Sequence, residues 1–197
     1  MLIGRVKGIL LNPKDTWPQI KDESISFSEV LTGYAMPLAA IPAVFGLLGY
    51  ALIGMRLGFG HLVYRIPFGL ALIWAIIYYI LVLAGLYIQG IVINALAPSF
   101  GSKQNAVNAF KLAVYAYTAA FIAGILSIIP AIGILVFLLS LYGIYLFYLG
   151  IPVMMETPKE KVIGYLIITI IVMIIIYFVI GAIAGSVLTI GLRSILL

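Results

Sequence analysis

The side chains that could do acid–base or metal chemistry are few. Asp15, Asp22, Glu23, Glu29, Glu156 and Glu160 are the six carboxylates, His61 is the sole histidine, and there is no cysteine. One histidine cannot make a His cluster, and without a thiol there is no disulfide framework, thiolate nucleophile or cysteine-bound metal. No glycine-rich phosphate loop, Ser/His/Asp set or His-x-x-x-His pair occurs. A carboxylate site for a divalent cation needs ligand oxygens at spacings this sequence lacks. His61, in GFGHLVYR, is expected to be solvated in a loop. The sequence therefore predicts no catalytic residue, no cofactor and no metal.

The elements around these residues explain their scarcity. The chain of 197 residues is 65% hydrophobic and 9% charged, with a mean hydropathy of +1.27. Soluble domains are roughly half apolar and about a quarter charged, so most of this surface must face lipid. Five apolar runs, at about 28–54, 66–97, 106–128, 131–155 and 162–192, each approach or exceed the ~20 residues that span a bilayer. None alternates with period two, which excludes a β-barrel. The expected fold is an all-α integral membrane bundle of five transmembrane helices. Residues 1–27 form an interfacial amphipathic segment and 28–197 the five-helix domain. With no Lys/Arg run, the net charge of +5 does not point to nucleic acid.

Orientation follows from where Lys and Arg fall. Arg5, Lys7, Lys14, Lys21, Lys103, Lys111, Lys159 and Lys161 lie on the N-terminal side, whereas Arg56, Arg65 and Arg193 lie on the other. The N-terminus is expected in the cytoplasm and the C-terminus outside. All six carboxylates fall at or beyond span ends. Lys111, about one turn into the third span, is expected to snorkel to the surface.

The opening stretch, MLIGRVKGILLNPKDTWPQI, mixes charge with apolar residues. Leu2, Ile3, Val6, Ile9 and Leu10 share one helical face, with Arg5 off it, as in a helix lying in the headgroup layer. Asn12 is placed to cap a second short helix, with Pro13 at its first position and Asp15 in its first turn. Trp17 suits the membrane interface. Next, Ser26 and Glu29 have capping-box spacing, and Pro37 and Pro42 should kink the first span. SIIPAIG makes a tight hairpin between spans three and four. Gly181 and Gly185 form a small-xxx-small surface, read as intrachain packing ahead of a dimer contact.

Polar residues inside the spans are the remaining signals. Gln89 and Asn94 are expected to make interhelical hydrogen bonds, with a polar pathway as the sharper alternative. Tyr142, Tyr145 and Tyr148 form a stripe on the fourth span, near Tyr115 on the third. Core packing is the plainer reading; a groove for a lipid tail is the other.

NPKDTWPQI, an apolar span containing YAMPLAAIP, FGSKQNAVNAFKLAVYAY, the hairpin IPAIG and LYGIYLFYLGIPVMMETPKEKVIGY together resemble the Yip-domain membrane proteins, the Ypt/Rab-interacting family and its prokaryotic relatives. The resemblance covers essentially the whole chain and rests on the order and spacing of the motifs. It implies five spans with a cytoplasmic N-terminus and, for eukaryotic members, vesicle-trafficking partners including prenylated small GTPases. It implies no particular activity for prokaryotic relatives, and a prokaryotic plasma membrane is the expected location. Many relatives carry a proline after the tyrosines of the third span; this chain has YAYTAAF, so a straighter third helix is expected. The functional reading is a non-enzymatic membrane protein that binds a partner protein or lipid and organises or shapes the bilayer. Its recognition surface is placed at Asn12, Pro13, Asp15, Trp17, Lys111, Glu156 and Lys159. The alternative is a small-solute permease with a pathway past Gln89, Asn94 and the tyrosines.

Overall fold

Long runs of Leu, Ile and Ala can satisfy their backbone groups in a bilayer only by coiling into helices. The computed structural model, which describes residues 2–56 and 63–196, has five helices long and apolar enough to cross a membrane. They are Phe27–Ile53, Phe68–Phe100, Ala106–Ile128, Pro130–Met154 and Lys159–Thr189, the first to fifth spans. Their limits agree with the expected runs to within a few residues. The protein is an all-α, multi-pass membrane bundle. Two short helices, α1 (Leu2–Leu11) and α2 (Pro13–Asp22), precede the first span. Between the first two spans, β1 (Met55–Arg56) pairs antiparallel with β2 (Val63–Tyr64). His61 lies outside the described residues.

The local signals at the first span act as expected. Ser26 Oγ accepts from the Glu29 N–H at 3.3 Å, and the Ser26 N–H donates back to the Glu29 carboxylate at 2.7 Å, closing the capping box. A wider π-helical turn, Leu31–Ala35, comes just before Pro37. It makes room for a ring that cannot donate to the turn behind it.

The third span departs from the expected straight helix. Helix Ala106–Ala116 stops at Tyr117 and resumes over Thr118–Ala123. No proline is needed. Thr118 Oγ1 donates to the Tyr115 carbonyl at 2.7 Å, inserting a side chain into the backbone ladder.

This third span is the centre of the bundle. Of its most apolar stretch 72% is buried, against 11% for the fourth and fifth spans. Close approach at two glycines makes this possible. A Cβ on Gly90 would stand 3.1 Å from Phe110 Cα, and one on Gly124 would stand 2.6 Å from Pro42 Cβ. The fifth span lies against the second, where Tyr165 stacks on Phe100 at 4.8 Å and donates to the Ile93 carbonyl.

Gly181 and Gly185 do not take part. A Cβ built at either meets nothing within 4 Å. The inward face of that helix is Ile180, Ala184, Val187 and Leu188. The intrachain packing expected at the two glycines is absent, because the helix turns its larger residues inward there.

Candidate functional site

α1 and α2 fold into a hairpin about Asn12. Gly8 and Thr16, four residues to either side, meet where a Cβ on Gly8 would stand 3.0 Å from Thr16 Oγ1. The Asn12 side chain makes no capping bond; its carbonyl accepts from Thr16 Oγ1 at 2.8 Å. The side-chain cap expected from Asn12 therefore does not form, and the carbonyl that Thr16 reaches is the backbone one.

The hairpin is docked into the bundle. Ile9, Trp17 and Ile20 are fully buried and belong to the same core as the spans. Trp17 Nε1 donates to the Leu146 carbonyl at 3.1 Å, its ring meets Tyr115 edge-on at 6.5 Å, and Gly150 leaves the room it fills. The indole N–H expected to reach the headgroups is therefore spent inside the protein. Tyr142 donates its hydroxyl to the Leu10 carbonyl at 2.9 Å. Because Tyr142 stands twelve residues before Met154 on its span, the hairpin reaches about 18 Å along that helix.

Lys111 holds the other end. Expected to snorkel outward, it is 2% exposed and its Nζ donates to the carbonyls of Ile20 (2.9 Å) and Glu23 (2.6 Å). These are the unpaired carbonyls closing α2, where a cation also meets the negative end of the helix dipole. Burying an amine is unfavourable unless it is hydrogen-bonded, and α2 supplies the acceptors.

The connecting loops at this end interlock with the hairpin. Glu156 pairs with Lys21 at 2.9 Å and faces Lys103 at 3.8 Å. The Lys21 hydrogen bond, reinforced by both ammonium charges, holds the Glu156 carboxyl below the usual range. The residue sits at φ 53°, in the left-handed region that non-glycine residues seldom adopt. Nearby, Ser102 donates to Thr157 Oγ1 at 2.8 Å and the Lys103 N–H donates to the Met155 carbonyl at 2.8 Å.

The residues expected to form one recognition surface therefore divide. Pro13, Trp17 and Lys111 lie inside, whereas Asn12, Asp15, Glu156 and Lys159 are exposed. The tyrosines divide as well. Tyr115 is 3% exposed and packs on Tyr34 at 4.4 Å, while Tyr142, Tyr145 and Tyr148 face outward at 37–43% exposure. The stripe is therefore not core. Gln89 and Asn94 lie in separate places too. Gln89 is 1% exposed, its amide has no protein partner, and it faces an approximately 50 Å³ cavity with Tyr117, Ser140 and Gly143. That volume has room for water. Asn94 lines a different cleft of about 490 Å³ beside Phe27 and Gln104.

A cavity of about 600 Å³ opens between the hairpin and the first span. Arg5, Glu23, Glu29, Tyr34 and Tyr115 line it. Arg5 pairs with Glu23 and lies 6.0 Å over the Tyr115 ring, and Tyr34 hydrogen-bonds Thr118 at 2.8 Å. In the sequence Arg5 stands out only as a cation off the apolar face, and Glu29 only as half of a capping box. The one clue was the Asn-Pro turn, which folds residue 5 back toward residue 23. Among the described residues no group of three or more His, Asp or Glu side chains could hold a metal.

The Yip1 domain family matches residues 7–183. Inner membrane protein YohC of Escherichia coli, in two strains, is 30% identical over 167 residues, covering 81% of this chain and 83% of the relative. No solved structure matches. The chain belongs to the Yip1-domain family.

Proposed function

Taking that membership as the premise, we propose that this protein is a non-enzymatic organiser of the bilayer, acting in a plasma membrane like that of its inner-membrane relative. One observation carries the reading. The α1–α2 hairpin adds two helices to one half of the bundle, whereas the far end adds only a two-residue strand pair among the described residues. A body wider in one leaflet than in the other acts as a wedge. The eight-to-three bias of Lys and Arg supports placing the hairpin in the cytoplasmic leaflet. The exposed Ile3 and Leu11 support contact between the hairpin and lipid. The exposed charges of Glu156 and Lys159, at the end of the hairpin where Lys21 meets the connecting loops, leave a mixed-sign face for a protein partner.

Reconstitution into large liposomes, with cysteine-tagged protein selected for one orientation, tests the wedge. Wild type should reduce vesicle diameter or draw tubules in proportion to protein density, and Trp17→Ala should weaken this by loosening the hairpin. Unchanged vesicles at high density would overturn the reading. Saturable uptake of a small solute would favour the permease instead, although the separate settings of Gln89 and Asn94 argue against it.

A further inference from the structure

The cleft under α1 has features that neither packing nor the wedge explains. Its ionic groups carry both signs: Arg5 and, just behind the wall, Lys111 are matched by Glu23 and Glu29. Neither Arg5 nor Glu29 is used up. Arg5 gives Nη2 to Glu23, which leaves most of its five N–H donors free. Both Ser26 donors land on the same Glu29 oxygen, Oε2, so Oε1 remains available.

Two glycines in the wall are equally telling. At Gly4 and Gly33 an added Cβ would meet nothing within 4 Å, and neither has a backbone angle that demands glycine. Both lie in helices, where glycine costs about 1 kcal/mol relative to alanine. What they supply is open room on the two sides of one cleft. Leu2 and Ile25 add apolar wall, and Ile3 beside it is 69% exposed. The cleft lies at the end of the bundle where the first span begins.

We propose that this cleft binds an aminophospholipid. The phosphate sits on the free donors of Arg5, the ammonium on Glu29 Oε1, and the glycerol and acyl chains leave over Gly33 toward the exposed apolar flank. Balanced charge in the wall matches a zwitterionic headgroup better than an anionic one. A primary ammonium can donate hydrogen bonds to Glu29, whereas a quaternary choline cannot. A volume of about 600 Å³ holds a headgroup and glycerol, within the usual range for ligand sites. The site is distinct from the wedge: a lipid can occupy it whether or not the hairpin bends the membrane.

The test is native mass spectrometry of the full-length protein, released from detergent with dioleoyl phosphatidylethanolamine, phosphatidylcholine or phosphatidylglycerol added in turn. Phosphatidylethanolamine should be retained best. Arg5→Gln and Glu29→Gln should each weaken it about tenfold, as expected for one charge-assisted hydrogen bond. Because these variants also break an ion pair and a cap, Gly33→Leu provides the cleaner arm. It fills the cleft, touches no charge, and should abolish retention without lowering the melting temperature. Equal retention of all three lipids, or retention by Gly33→Leu at the wild-type level, would overturn the site. Preference for phosphatidylglycerol would overturn the ammonium assignment. Competition by soluble glycerophosphoethanolamine at concentrations comparable to the lipid would show a site for a soluble ester rather than a membrane lipid.

Discussion

The third and fifth spans invert the rule familiar from soluble proteins. The fifth is rich in Ile, Val and Leu, yet 11% of its most apolar stretch is buried; the third, with Lys111, Asn108, two tyrosines and several alanines, is 72% buried. In a bilayer an aliphatic face gains nothing by leaving lipid. Protein–protein contact falls instead to small residues that let backbones approach and to polar groups that need partners. The hairpin extends the contrast. It is among the most charged parts of the chain, and it places Trp17 and Ile20 in the core.

Substitutions can break or sharpen that contrast. Trp17→Ala should have the largest effect, lowering detergent-solubilised stability by ~3–5 kcal/mol, because it empties a fully buried site and removes the indole hydrogen bond to the Leu146 carbonyl. Equilibrium unfolding in mixed micelles would measure it; a loss near zero would mean the hairpin is not docked. Lys111→Met should cost ~1–3 kcal/mol, since its near-isosteric side chain fills the space but leaves the Ile20 and Glu23 carbonyls unpaired.

A glycine pair separates the two spans directly. Gly124→Leu must displace Pro42 and should lower stability by about 1–3 kcal/mol. Gly181→Leu and Gly185→Leu should leave it within about 0.5 kcal/mol of wild type, since both positions are open. Comparable melting shifts in the two sets would erase the distinction between hub and outer helix.

Glu156→Gln should have the smallest effect. The native carboxyl is held below its ordinary value by Lys21, so any stability it adds is present above the unfolded-state value near 4.5 and is lost as pH falls through the lower native one. Wild type minus Glu156→Gln should therefore show a slight difference at neutral pH that vanishes in acid. A difference that grows in acid would contradict the pairing.

These contrasts also mark what could be read from the sequence. The spans were legible because a run of about 20 apolar residues has one physical solution in lipid, and the Ser26–Glu29 box because its partners are three residues apart. Which face of each span meets protein was not legible. Gly181 and Gly185 have the spacing of a packing surface but face outward, since the same small residues are tolerated against lipid. Lys111 reads as a snorkelling residue on its own helix; only the fold brings the carbonyl end of α2 to it, from 88 or more residues away. Trp17 reads as an interfacial anchor for the same reason. Its acceptor lies 129 residues further along the chain.

The claim on which the rest depends is that the hairpin is a fixed part of the bundle. Hydrogen exchange of the wild-type protein in bilayers, followed by mass spectrometry, tests it most directly. Amides of residues 16–22 should be protected to a degree approaching those of Ala106–Ala116, and Trp17→Ala should release the former while leaving the latter slow. Free exchange of residues 16–22 in the wild-type protein would contradict the docked hairpin and the wedge built on it.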